Sequence, residues 1–285
     1  MKKILFISFL IISILPKTMA QESEELDSVV IAPKNNLYRF AIGMSYGTGN
    51  LVLRDKVIST FRYKGNYQPF GLHFEVRNQY SKSSYSLEFM NSPTLKTETN
   101  KGFEYKGDLG EFYPSSTDGL DFSTLKTKNS SFNITQLYML KKTESKDVQV
   151  YFGYDLSSRF FTKKFIQFEY VNELRERIMS AGFVANFELH INDKHHLEYN
   201  LSVPILSYAS RSLSNANADP VTVSSSKVTI LGKVAGFDSR FSYRFQAHPR
   251  FSLKASYSFH YMQVTFPRKE QWGNNQLTVG AFFHF

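Results

Sequence analysis

The sequence predicts an all-β fold: a closed antiparallel transmembrane β-barrel of about 10 strands, with 8 to 12 possible. Apolar residues recur at every second position in segments of roughly 10 residues, the length of a tilted membrane strand. The links between these segments alternate between short and long. A helical membrane protein is excluded, because no window beyond the amino terminus offers the roughly 20 uninterrupted apolar residues that a spanning helix needs.

The alternation is clearest in "FSLKASYSFHYM", residues 251–262, where aromatic and aliphatic residues fall on one face and Ser, Lys and His on the other. The same pattern recurs in nine other segments: 38–46, 70–76, 85–89, 132–140, 148–156, 181–189, 197–203, 237–245 and 277–285. A soluble sandwich would show a similar alternation. The pattern alone therefore predicts strands but does not assign the apolar face to lipid.

The connections favour the barrel. Short links are predicted at 81–84, 143–147, 192–195 and 247–250, and long links at 48–67, 91–130, 158–177, 206–227 and 264–275. Outer-membrane barrels have short periplasmic turns and long extracellular loops, whereas a sandwich has no reason to alternate in this way. A barrel of this size encloses little space, so general porin activity is disfavoured.

The amino terminus has the features of a secretory signal: Lys2 and Lys3, an apolar run too short to span a bilayer, and small residues up to Ala20. We expect residues 1–20 to be a signal peptide, 21–36 a periplasmic tail and 37–285 the barrel.

Removal of the signal lowers the formal net charge from +9 to +6. The remaining basic residues are spread along the chain, so no nucleic-acid partner is predicted. Without cysteine, neither disulfides nor a lipid anchor is expected.

The carboxyl end, "QLTVGAFFHF", has apolar residues at alternate positions and ends in Phe283 and Phe285. It resembles the assembly signal of Gram-negative outer-membrane proteins. That resemblance implies localisation in the outer membrane, contact with membrane lipid and lipopolysaccharide, and recognition of the final strand by the outer-membrane assembly machinery.

The amino-terminal stretch "LDSVVIAP", residues 26–33, resembles the energy-coupling box of TonB-dependent transporters in Bacteroidota. The chain departs from that family because it has no plug domain and too few strands. The tail therefore either recruits a periplasmic partner by adding a strand to its sheet, or matches by coincidence. A Bacteroidota-like source is the corresponding expectation.

Inward polar faces predict a charge network in the lumen, formed by Arg77, Glu88, Glu188, Glu198, Arg240, Arg244 and Lys254. A turn at 81–84 would place Arg77 opposite Glu88. A turn at 192–195 would place Glu188 opposite Glu198. Those two carboxylates would repel unless a cation such as Arg244 or Lys254 lay between them.

The two glutamates could instead be a glycosidase-like acid and base, but a structural role is favoured because they lie near the periplasmic end. The strand number is similar to that of the omptin proteases, yet the candidate rim acids Asp118 and Asp121 have no Asp-x-His nearby. No histidine is followed two residues later by serine, the arrangement found in phospholipase and lipid A deacylase barrels. No catalytic residue, metal or cofactor is therefore predicted.

The long link 91–130 mixes lysines with aromatic residues that could meet phosphates and sugars. The candidate binding residues are Lys101, Phe103, Tyr105, Lys106, Phe112 and Tyr113. Link 158–177 is similar, with Lys163, Lys164, Arg175 and Arg177.

The predicted function is a non-enzymatic barrel that presents loops for binding or serves as an accessory subunit of a surface complex. The alternatives are a narrow solute channel and a lipid- or peptide-hydrolysing enzyme.

Overall fold

The computed structural model describes residues 39–285 except 57–61, 92, 98–123, 141–147, 168–169, 216–222, 231–232 and 267–268. The predicted signal peptide and tail therefore lie outside the described residues. Within them, no helix is long and apolar enough to cross a membrane. The described strands are β1 (Phe40–Asp55), β2 (Arg62–Tyr67), β3 (Pro69–Arg77), β4 (Ser81–Met90), β5 (Thr94–Thr97), β6 (Thr124–Met139), β7 (Val148–Gln167), β8 (Tyr170–His190), β9 (His195–Asn215), β10 (Val223–Ile230), β11 (Val234–His248), β12 (Phe251–Val264) and β13 (Glu270–His284).

Ten of these strands close into a ring. Its order is β1, β3, β4, β6, β7, β8, β9, β11, β12 and β13, with β13 hydrogen-bonded back to β1 and every neighbour antiparallel. The closing pair extends from Ala41 opposite His284 to Asp55 opposite Glu270. The predicted closed antiparallel barrel is confirmed, and each of the ten segments read from the alternation corresponds to one of its strands to within two residues at the ends.

The three remaining strands lengthen the wall at one end. β2 pairs with the second half of β1 and with β5, and β5 pairs with β6. β10 pairs with β9 beyond the region where β9 contacts β11. The barrel therefore has a turn end, where Phe40 and Phe285 meet, and an extended loop end. We call the loop-end wall the collar; it comprises residues 48–55, 62–67, 94–97, 124–130, 161–167, 170–178, 207–215, 223–230, 234–236, 262–266 and 269–273.

The outer face of the wall changes from apolar to polar along the strands. Below the collar, large apolar side chains are exposed all around the ring, among them Ile42, Met44, Leu72, Phe89, Phe152, Phe183, Phe187, Phe241, Tyr257, Leu277 and Val279. On β8, Phe187 and Phe183 are followed on the same face by Arg177 and Arg175. We call the lower surface the apolar belt; it has the character of the lipid-facing band of membrane barrels.

The interior changes in the opposite sense. On β1, the inward positions are Gly43 and Ser45 in the belt region but Leu51 and Leu53, both fully buried, in the collar. The collar interior is a continuous apolar cluster, the collar core, formed by Leu51, Leu53, Tyr63, Tyr67, Leu95, Leu125, Phe161, Leu174, Ile178, Ala209, Val234, Met262, Val264 and Trp272. The same strands are thus apolar outside within the belt and apolar inside within the collar, the pattern expected of an outer face that passes from lipid to water.

The predictions about connections were wrong in two respects. All five predicted long links contain strand residues, and these residues form much of the collar. Link 158–177 is mostly strand, since β7 and β8 pair from Val148 opposite Leu189 to Gln167 opposite Tyr170. The turn assigned to 81–84 lies earlier, because Asn78 N donates to Ser81 O at 2.8 Å and leaves two residues in the turn. Arg77 therefore pairs with Lys82, and Glu88 pairs with Gly71.

Candidate functional site: the sealed interior of the barrel

The turn end of the interior is filled by charged side chains that project from β3, β4, β8, β9, β11 and β12. This lower network comprises Glu75, Arg77, Lys82, Glu188, Glu198, Arg244 and Lys254, all buried or nearly so. It contains four cations and three carboxylates. Each carboxylate contacts two cations, as paired burial of charge requires.

Glu188 and Glu198 stand opposite each other, which confirms the register predicted from the turn at 192–195. The cation that separates them is Lys82, whose Nζ lies 2.7 Å from Glu188 Oε1 and also contacts Glu198 Oε1. Lys254 Nζ binds the second oxygen of Glu198 at 3.0 Å, but its other contact is Glu75 at 3.6 Å, so the cation between the two glutamates is not the predicted one. Arg244 was assigned wrongly: its Nη2 binds both oxygens of Glu75, at 2.8 and 2.7 Å.

Arg77 does not pair with Glu88. Its Nη2 lies 2.5 Å from both oxygens of Glu188, across the barrel, because the correct turn shifts its strand partner to Lys82. Glu88 instead contacts Arg240 Nη2 at 3.1 Å. The sequence missed Lys82 because "SKSS" has the composition of a turn, so its lysine was not counted among the inward residues.

Above the lower network lies a polar cavity of about 130 Å³. Its lining includes His73, Glu88, Asp155, Asp238, Arg240 and His260. Several of these side chains are paired: Ser202 Oγ donates to Asp155 Oδ1 at 2.9 Å, and His73 Nε2 lies 2.7 Å from Ser45 Oγ. The cavity is large enough to hold several water molecules.

The cavity also contains an Asp–His pair. His260 Nδ1 lies 2.6 Å from Asp238 Oδ1, and Arg159 Nη2 contacts both oxygens of the same aspartate at 3.0 and 2.8 Å. The two residues stand opposite each other on β11 and β12. A search for Asp-x-His in the sequence could not find a pair that forms only across strands.

The collar core closes the cavity toward the loop end. Trp272 stacks on Phe161, with ring centroids 6.4 Å apart, and the guanidinium of Arg159 lies 5.0 Å from the Trp272 ring. At the boundary, the Tyr67 hydroxyl accepts from Asn274 Nδ2 at 2.8 Å and donates to Gln276 Oε1 at 3.0 Å. The polar lumen therefore ends in a packed apolar layer.

Five buried charged residues lie next to the apolar residues of this layer. In this collar cluster, Lys163 Nζ contacts Asp55 Oδ2 at 2.9 Å, Glu176 Oε2 at 3.0 Å and Glu270 Oε1. Arg211 Nη2 contacts Asp55 at 2.6 Å and Glu270 at 2.9 Å. Three acids thus share two cations. Burial and the nearby Glu176 raise the pKa of the Glu270 carboxyl well above its usual range.

The predicted extracellular binding residues Lys101, Phe103, Tyr105, Lys106, Phe112 and Tyr113 lie outside the described residues, as do Asp118 and Asp121. Phe283 and Phe285 are exposed on the outer face at the turn end. In the ranges that the structure describes, no three His, Asp or Glu side chains are arranged to hold a metal ion.

Comparison with known proteins places the fold. No protein-family model and no curated protein matches the chain. Among solved structures, the outer membrane protease OmpT from Escherichia coli is similar, with a TM-score of 0.53 and 7% identity over 91% of this chain and 99% of that one. The translocator domain of autotransporter NalP from Neisseria meningitidis has a TM-score of 0.48 and 10% identity, over 94% of this chain and 96% of that one. Ail from Yersinia pestis has a TM-score of 0.30 and 15% identity, over 85% of this chain and 98% of that one.

At these identities the similarity concerns the fold alone. The chain has the closed antiparallel barrel of Gram-negative outer-membrane proteins, with an apolar belt and a filled interior.

Proposed function

We propose that this chain is an outer-membrane barrel that conducts no solute and presents its loop-end segments for binding, either alone or as an accessory subunit of a surface complex. The observation that carries the proposal is the collar core. Its fourteen buried side chains fill the barrel above the lumen, and the buried charges of the collar cluster lie at the same end.

A conducting pathway would need a continuous polar route. The lumen has a polar cavity, but Leu51, Leu53 and Leu125 are fully buried above it. Below it, Lys82 and its carboxylate partners fill the turn end. Barrels of about 8 strands are filled by side chains, and those of 16 to 18 leave an aqueous channel, so 10 strands suit a filled interior.

The remaining parts of the proposal follow from the sequence. Residues 1–20 are a signal peptide, the final strand with Phe283 and Phe285 is recognised by the assembly machinery, and the tail at 21–36 is the candidate contact for a periplasmic partner. The loop end faces the exterior, where Lys101, Phe103, Tyr105, Lys106, Phe112 and Tyr113 are the candidate binding residues. The "LDSVVIAP" stretch supports a Bacteroidota-like source.

Conductance tests the proposal directly. The refolded protein, inserted in a planar phospholipid bilayer, is expected to give no discrete openings, whereas a general porin in the same bilayer does. Discrete openings of the wild-type protein would contradict the sealed interior and favour the narrow channel.

Loop binding is tested separately on a glycan array that includes phosphorylated oligosaccharides. The wild-type protein is expected to bind a defined subset, and a variant with Lys101→Gln, Tyr105→Ala and Lys106→Gln is expected to lose it. A control variant with Lys194→Gln and Arg250→Gln, exposed residues at the turn end, should keep it. Absence of binding by the wild-type protein, or equal binding by the loop variant, would contradict the role assigned to these residues.

The enzymatic alternative rests on carboxylate and histidine pairs. Asp238 and His260 lie beneath the collar core, which separates them from a substrate on the loop side. Incubation of the refolded protein with labelled phospholipid or peptide is therefore expected to give no product. Turnover that disappears in Glu188→Gln or His260→Ala would establish an enzyme instead.

A further inference from the structure

The outer face of the collar carries a dense set of exposed basic side chains on one side of the barrel. The basic face consists of Arg54, Arg62, Lys64, Lys96, Lys126, Lys128, Lys164, Arg175 and Arg177. These residues lie on β1, β2, β5, β6, β7 and β8, which are consecutive neighbours in the collar wall. Each is exposed and has a buried neighbour in sequence, so it projects away from the collar core.

Several of these cations are direct cross-strand neighbours of one another. Lys126 stands opposite Lys164 on β7, Lys64 opposite Lys96, and Arg54 opposite Arg62. Like charges at opposed positions destabilise a sheet. A ligand with several negative charges would offset such repulsion.

The acids of these strands do not neutralise the face. Within their described residues Glu173 is the outward acid, and it contacts Lys164 at 3.1 Å and Arg175. The other collar acids, Asp55 and Glu176, point inward into the collar cluster. The five cations of β6, β7 and β8 therefore retain a large positive excess over Glu173.

The basic face begins at the edge of the apolar belt. Arg177 stands opposite the exposed Phe160, with its guanidinium 4.9 Å from the ring centroid. Lys164 is four residues beyond Phe160 on β7, and Lys128 is four residues beyond the exposed Phe132 on β6, each about 13 Å along the strand. The cations thus lie on the loop-end side of the exposed rings, as headgroup phosphates lie beyond acyl chains.

The opposite wall has a different surface at the same level. The described outward strand positions of β9, β11, β12 and β13 in the collar are uncharged: Tyr208, Ser210, Ser212, Ala235, Gln263, Gln271 and Gly273. Three exposed lysines lie on β10 and directly before β11 and β13: Lys227, Lys233 and Lys269. The nine cations of the basic face therefore make it the denser part of the ring, which favours a ligand bound on that side.

We propose that the basic face is a binding site for a phosphorylated glycolipid of the lipid A type, with the cations of β6, β7 and β8 holding its phosphates. Arg175 and Arg177 can form paired N–H···O bonds to one phosphate, and Lys126, Lys128 and Lys164 supply point charges to the same or a second phosphate. The acyl chains of the ligand then lie against Phe132 and Phe160 of the apolar belt. The lipid would therefore bind on one side of the barrel. Its binding does not depend on what the loops bind.

The test is a binding titration of the refolded protein in uncharged detergent with bis-phosphorylated lipid A. Its dephosphorylated counterpart and phosphatidylglycerol are titrated in parallel. The test variant combines Lys126→Gln, Lys128→Gln, Lys164→Gln, Arg175→Gln and Arg177→Gln. The control variant removes five exposed cations elsewhere: Lys194→Gln, Lys227→Gln, Lys233→Gln, Arg250→Gln and Lys269→Gln. Heat-modifiable migration on a denaturing gel verifies that both variants are folded.

We expect the test variant to bind bis-phosphorylated lipid A at least tenfold more weakly than wild type, and the control variant to stay within twofold. Wild-type protein should also bind the dephosphorylated lipid and phosphatidylglycerol at least tenfold more weakly. Equal affinity of the two variants would overturn the proposed location. Equal affinity of the wild type for the three lipids would overturn the proposed ligand. Neither result depends on the conductance or the loop ligands of the barrel.

Discussion

Asp55 and Glu270 stand directly opposite each other on the two strands that close the barrel, and both carboxylates are bound by Lys163 and Arg211. Both acids are fully buried. With Glu176, they give the collar cluster one more acid than it has cations. Such a cluster is stable only while its charges are paired. Substitution of its members therefore tests the structure of the collar directly.

The first prediction concerns pH. Burial and the neighbouring Glu176 raise the pKa of Glu270 in the folded state above its value in the unfolded chain. The folded state therefore binds this proton more tightly, and the contribution of Glu270 to stability falls as pH rises above about 4.5 toward the folded-state pKa. Glu270→Gln is expected to remove this dependence and to be at least as stable as wild type at pH 8.

The measurement is hydrogen exchange of collar amides from pH 5 to 8, corrected for intrinsic exchange rates. Glu173→Gln, which changes an acid on the outer face, is the matched control and should keep the wild-type dependence. Identical pH profiles of wild type and Glu270→Gln would contradict the assignment.

The second prediction compares two adjacent lysines. Lys163 is fully buried among three acids, and Lys164 projects outward with its side chain 55% exposed. Lys163→Met leaves buried acids without their main cation and should cost about 3 to 5 kcal/mol. Lys164→Met should change the free energy of unfolding by less than about 1 kcal/mol. Urea unfolding in phospholipid vesicles measures both, and equal effects would show that the cluster does not form.

The third prediction addresses Lys82 in the lower network. Lys82→Met leaves Glu188 and Glu198 opposed without the cation between them and is expected to lower the unfolding temperature of the barrel. Adding Glu198→Gln should restore much of the loss, because it removes the repulsion. Heat-modifiable gel migration measures the transition; a double variant no better than Lys82→Met would contradict the bridging role.

The fourth prediction concerns the collar core. Leu53 is fully buried there, and Val52 points to the outer face of the same strand. Leu53→Ala should destabilise the collar by about 2 to 5 kcal/mol through the cavity that it creates. Val52→Ala should cost much less. Hydrogen exchange is expected to increase in the collar of Leu53→Ala and not in the belt, and an unchanged collar would show that the core is not packed.

The sequence predicted the ten strands because one side of each faces lipid over its whole belt region, which makes the alternation regular. It failed above the belt, where the apolar residues move to the inner face. Leu51 and Leu53 occupy the opposite phase from Met44 and Tyr46 on the same strand. In the sequence, this change of phase resembles the end of the alternation between apolar and polar residues. The collar was therefore predicted as loops.

The interior pairs were harder to predict, since they depend on register and on which strands face each other across the barrel. Glu188 and Glu198 are joined by a short turn, so their proximity could be derived. Arg77 and Glu188 are 111 positions apart and meet only after closure. An error of a few residues in one turn was enough to assign Arg77 to the wrong carboxylate.

The central claim is that one strand passes from a lipid-facing to a water-facing outer surface. Because the chain has no cysteine, single cysteines at Phe187, Phe183 and Arg175 on β8 each carry one nitroxide label. In phospholipid vesicles, labels at 187 and 183 are expected to collide mainly with oxygen, and the label at 175 with a water-soluble nickel complex. Preferential nickel accessibility at 183 and 187 would contradict the account.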